Sequence, residues 1–151
     1  MESADEIRVL ELSFADASAT FDRIHLTFQQ ASLAFERAHA AHEHAKAAFY
    51  QAYATFEHAS AECDKAQVTY KQASADRKHP KASQQALDAW VKTRGAMQEA
   101  VTAMEQAEAV RKQASVSMQK ASDEMQQILA DMEQAQAVRQ NFYASLVEAR
   151  Q

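Results

Sequence analysis

All six histidines of the chain lie in its first 79 residues, and His39, His42 and His44 fall close together beside Glu43. His39 and His42 are three apart and Glu43 is four from His39. On a helix, neighbouring turns would therefore offer imidazole and carboxylate ligands to a metal ion. Glu36-Arg37-Ala38-His39 also has the Glu-x-x-His spacing of di-iron helical bundles, but those bundles use the motif twice and this chain has it once. The second half, without histidine, could contribute only carboxylates. The expectation is no metal and no cofactor.

The remaining chemistry-bearing residues are as sparse. Cys63, the single cysteine, occupies a seam position as a small hydrophobe and reads as a structural thiol. It can form no internal disulfide, so nothing points to an oxidising compartment. There is no glycine-rich phosphate loop, nucleophile elbow or Ser/His/Asp pattern. The chain is expected not to be an enzyme and to have no small-molecule substrate.

Charge narrows the partners. A net charge of −5 argues against a general binder of nucleic acid or anionic membranes. The start, MESADEIRVLELSF, is acidic and lacks the basic and long apolar stretches of a secretory signal. No run approaches the roughly 18 apolar residues of a membrane span. A cytoplasmic location is the default expectation, with signal-less export as the alternative.

What must hold these residues is a seven-residue repeat. Phe14, Phe21, Phe28, Phe35, His42, Phe49, Phe56, Cys63 and Tyr70 are spaced by seven, and a mostly alanine series follows each by three, from Ala17 to Ala73. The second half substitutes methionine: Trp90, Met97, Met104, Arg111, Met118, Met125, Met132, Arg139 and Leu146, with small residues from Ala86 onward. A sustained period of 3.5 specifies supercoiled helices packed along one seam. One glycine and one proline among 151 residues leave little from which to build turns or strands.

The strong break is DRKHPKAS, residues 76–83, where Pro80 cannot continue a helix interior and His79 is pushed from helical conformation. Pro80 could open the second helix at its first position, or Ser83 could cap it. The reading is a single all-α domain spanning 1–151: a helix over about 4–77, a turn over about 78–82, and a helix over about 83–150. A short connection makes the two antiparallel neighbours, a coiled-coil hairpin with Phe/Met–Ala seams. At about 1.5 Å per residue each helix would be on the order of 100 Å long. A fold of four shorter helices, broken near 42–46 and 115–123, is the alternative.

Folding the chain about the turn puts Phe56 level with Ala107, Phe49 with Ala114 and Phe28 with Ala135. Alternate layers put Ala59 level with Met104 and Ala31 with Met132. Large faces small in nearly every layer, though Phe21 opposite Phe142 breaks the rule. A second, outward stripe of Leu12, Leu26, Leu33 and Val68 with alanines between is mildly apolar. It suggests that hairpins pair into a four-helix assembly.

Three polar residues interrupt the seam. His42 reads as a partly buried residue that helps set register, and also as a pH-sensitive position, because charging a buried imidazole carries a desolvation cost. Arg111 and Arg139 can lay their stems on apolar surface while the charge reaches solvent, or pair with acids of a neighbouring hairpin.

Charge is also segregated. Lys71, Arg77, Lys78, Lys81, Lys92 and Arg94 outnumber Asp76 and Asp88 around the turn, a net of +4. Residues 1–22 and 123–151 carry a net of −8, eleven acids against Arg8, Arg139 and Arg150. The basic tip is the candidate docking surface for an acidic protein partner. In length and two-helix plan the chain resembles the stalk components of type III secretion export machinery, on architecture and not on any motif, so no residue role carries across. The W-x-G pattern of secreted helical hairpins is absent, since Val91 and Lys92 follow Trp90. The functional expectation is a structural or assembly protein that engages protein partners, itself included, through its ends. A helical module that opens onto an apolar surface or a partner helix, of a granule-coat or chaperone kind, is the alternative.

Overall fold

The structure is a computed structural model and describes residues 3–151. It consists of two long helices packed against each other, α1 (Ala4–Ala75, 72 residues) and α2 (Pro80–Arg150, 71 residues), with no strand among the described residues. Both run unbroken through 42–46 and 115–123, so the four-helix alternative does not occur.

Each helix end has a local cause. At the start of α1 the Ser3 hydroxyl accepts from the Glu6 N–H, and the Glu6 carboxylate accepts in return from the Ser3 N–H, both at 3.2 Å. This reciprocal capping box satisfies two of the donors that a helix start leaves orphaned. The box is legible as S-x-x-E in the sequence, and the heptad reading passes over it.

α1 ends at Ala75, two residues before the expected boundary, and α2 begins at Pro80, three residues ahead of it. Residues 76–79 form the connection. The Asp76 N–H donates to Ala73 (3.2 Å), the His79 N–H to the Asp76 carbonyl (3.4 Å), and the Lys78 N–H to Asp76 Oδ1 (3.0 Å). An aspartate that accepts from the backbone two residues on is an Asx turn, and it competes with continuation of the helix. No described residue has positive φ, which explains how the chain reverses without glycine. The His79 carbonyl then accepts the first bond of α2, from the Ser83 N–H at 3.3 Å. Pro80 thus occupies the first helical position, where its missing N–H costs nothing.

The chain divides into two compact units. Residues 41–115, around the connection, form one. Within it Tyr70 stacks on Trp90 with centroids 5.4 Å apart, and Ala45, Cys63, Ala86 and Ala100 are buried. Residues 1–40 and 116–151 form the other. There Phe14 lies 5.7 Å from Tyr143, Arg150 reaches Glu11 at 2.9 Å, and Ala17 and Leu146 are buried. In both units every position of the two seven-spaced series is buried or half-buried.

The cross-helix partners differ from the expected pairing. The ring of Phe49 meets Arg111, not Ala114, and that of Phe21 meets Arg139, not Phe142. Both partners lie three residues nearer the turn. The connection contributes, since Ala75 and Pro80 flank it directly and centre the reversal nearer the start of the chain than the expected pairing does. Side chains also lean toward the start of their own helix, so in an antiparallel pair the tips that meet belong to residues whose Cα atoms have already passed each other.

Candidate functional site

The expected docking residues all belong to the unit around the connection, and all six are exposed. Arg77 and Lys78 stand on the connection itself. Lys81 is in the first turn of α2, and Lys71 lies four residues, about 6 Å, before the end of α1. Lys92 and Arg94 are twelve and fourteen residues into α2, roughly 18–21 Å along its axis. The structure therefore gathers four of the six into a tip and leaves two on the flank. Asp76 is occupied within the connection: it holds the Lys78 N–H and lies 3.9 Å from His79 Nε2. Asp76 is the one acid among residues 76–79, so basic side chains outnumber it at the connection.

The histidines do not assemble. His39 is exposed and packs on Phe35 with centroids 6.1 Å apart. His42 occupies the seam with its side chain 18% exposed, and its Nδ1 is buried without a hydrogen-bond partner; Glu43 Oε1, at 3.9 Å, is too distant to serve. Among the described residues no group of three or more His, Cys, Asp or Glu is placed to hold a metal ion.

The seam arginines are built into their own units. Arg111 sits with its guanidinium carbon 4.7 Å from the centroid of Phe49, and Arg139 lies 4.2 Å from that of Phe21. Arg111 is also held at two points by Glu108, Nε to Oε2 at 3.0 Å and Nη2 to Oε1 at 2.7 Å. These bonds hold the Glu108 carboxyl below its ordinary range against a smaller opposing effect of desolvation, and raise Arg111 correspondingly. The acid that Arg111 meets is thus one turn away on its own helix. The i, i+3 spacing is the signal that could have named it.

In the unit that holds both chain ends, an open groove of about 980 Å³ lies between the start of α1 and the end of α2, lined by Asp5, Glu6, Val9, Leu10, Ser145 and Glu148 among others. It sets the carboxylates of Asp5, Glu6 and Glu148 beside the apolar side chains of Val9, Leu10 and Ala149. No described helix is long and apolar enough to cross a membrane. Set against known proteins, the chain matches no family model, no curated protein and no solved structure.

Proposed function

We propose that the chain is a non-enzymatic structural or assembly protein, a helical spacer or stalk that engages protein partners through its charged ends. The observation that carries this reading is the pair of uninterrupted helices, 72 and 71 residues, closed by a four-residue connection whose only acid is internally engaged. A helix without a break serves to separate what binds at its ends. Four exposed basic side chains concentrated at the connection supply one such end. A protein site, not a nucleic-acid one, fits the overall charge of −5.

The alternative, a module whose seam opens onto an apolar surface or a partner helix, draws on one observation. Among the described residues no large side chain is fully buried, so the seam has less to lose on opening than a globular core.

Solution scattering with in-line mass determination tests the spacer. A maximum dimension of about 100 Å, the length of one helix at about 1.5 Å per residue, is expected, and a compact particle would overturn the reading. A hydrophobic dye separates the alternative: a closed seam binds little, and an opening module binds it readily.

A further inference from the structure

Position seven-spacing does more than build the seam. In the unit that holds the chain ends, the outward positions of α1 are Leu12, Ala19, Leu26, Leu33 and Ala40, and all are exposed, the three leucines at 60%, 56% and 53%. The seam positions of the same helix stay buried or half-buried throughout, so this stripe stays on the face away from α2. Leucines at two adjacent heptads leave a helix face that wants cover.

The flanks of the stripe say what covers it. Residues three and four away from an outward position lie on either side of it. Leu26 therefore has Asp22 on one side and Arg23 on the other, and Leu33 has Glu36 on the first side and Arg37 on the second. At Leu26 and Leu33 acid occupies one flank and base the opposite flank, whereas Arg8 and Asp16 beside Leu12 take the reverse order. All four side chains are exposed. Among the described residues Asp22, Glu36 and Arg37 enter no ion pair, and Arg23 reaches only the Thr20 hydroxyl, at 3.3 Å. The same order recurs at heptad spacing farther along α1, as Glu43–His44, Glu57–His58 and Asp64–Lys65, each acid on the first flank and each base on the second.

A surface that is acidic on one side and basic on the other is complementary to itself in one orientation. When two such helices lie face to face and antiparallel, acid meets acid and base meets base. When they lie parallel, related by a two-fold axis along the helices, each acidic flank meets the other's basic flank. Because Asp22 and Glu36 each directly precede a base in sequence, the match falls in register, Asp22 beside Arg23 of the second copy and Glu36 beside Arg37 of the second copy, twice each by symmetry. We propose that a second copy of this chain docks on the leucine stripe of α1, parallel and in register. Leucine burial supplies the attraction, and the flanking charges select the orientation and disfavour the antiparallel alternative. The proposal rests on the assembly reading above and names its first partner.

Sedimentation or light scattering across a dilution series gives the mass, and twice that of one chain is expected. Leu26→Gln with Leu33→Gln should halve it while helicity is unchanged, since both leucines are already exposed in the single chain. Asp22→Arg with Glu36→Arg makes both flanks basic and should weaken pairing at least tenfold. Adding Arg23→Glu and Arg37→Glu exchanges the flanks and should restore it. Orientation is read in a Cys63→Ala background with Ala19→Cys or Ala40→Cys, two outward positions three heptads apart. Each should form a disulfide with its own counterpart. Cross-linking at one site alone, or at neither, would overturn the parallel arrangement. A wild-type chain of single-chain mass would sink the pairing, while its maximum dimension would still decide the spacer reading separately. A chain that stays single and floats with anionic phospholipid vesicles only while Leu26 and Leu33 are intact would overturn the proposal and give the stripe to a membrane surface.

Discussion

Arg111 lies over the ring of Phe49 on the opposite helix, 4.7 Å from its centroid, while Glu108 grips the same guanidinium from one turn below. Three groups thus share one site: an aromatic face, a cation and a half-buried carboxylate whose side chain is 27% exposed. Arg139 and Phe21 repeat the cation–ring part in the other unit. The two arginines are 28 residues apart and so are the two phenylalanines, four heptads in each case. An arginine in a methionine seam is therefore matched by a ring across from it, and its planar head stacks where lysine's compact ammonium would not.

The grip on Glu108 should appear as a pH-dependent contribution to stability. A carboxyl held below its unfolded value contributes stability that is fully present above that value and is lost as pH falls through the folded one. Glu108→Gln should melt lower than wild type at neutral pH, and the two curves should converge on acidification below the ordinary carboxylate range. A constant offset between the two melting curves down to pH 2 would show that the ion pair is not responsible.

His42 interrupts the phenylalanine series with a buried nitrogen that has no partner. Leaving such a group unsatisfied costs about 1–3 kcal/mol. His42→Phe restores the residue found one heptad to either side, and it should stabilise the fold by about 1 kcal/mol or more. Chemical denaturation at neutral pH measures this, and a lower midpoint for the variant would mean that the ring does not fit.

Gly95 lies inside α2, and a methyl group added there would meet nothing within 4 Å. Glycine in a helix interior costs about 0.8–1.0 kcal/mol relative to alanine. Gly95→Ala should raise the melting temperature by roughly 2–4 °C, on the scale expected for a domain of this length. An unchanged or lowered value would mark the glycine as a point where the helix must yield.

The register of the seam can be read by cross-linking. With Ala75 and Pro80 flanking the connection and side chains leaning toward their own helix starts, Phe49 in contact with Arg111 places its backbone level with a residue still nearer the turn. A slip of one heptad from the expected pairing puts Phe49 level with Ala107 and buried Ala86 level with Tyr70. In a Cys63→Ala background, Ala52→Cys with Met104→Cys should form an internal disulfide. Ala59→Cys with Met104→Cys, the pair expected from sequence, should not. The reverse result would restore the original register.

Much of this architecture was legible beforehand because its cause is periodic. The phenylalanine, methionine and alanine series announced two helices and their buried faces, and Pro80 announced the reversal. The boundaries were less legible. Asp76 ends α1 through a side-chain bond to the Lys78 N–H, a contact between residues that could equally have continued the helix. The six basic residues are adjacent in a reading of the sequence, yet the rise of the helix carries Lys92 and Arg94 away from the four at or beside the connection.

By itself the sequence determined which face of each helix is buried, since a period of 3.5 leaves one stripe apolar whatever the partner. It could not determine which heptad meets which, because a repeat looks the same to its partner after a slip of seven residues. Only the tertiary structure decided the contacts that break the repeat, through the four residues of the connection and the lean of the side chains, which bring Arg111 to Phe49 and leave the Nδ1 of His42 without a partner.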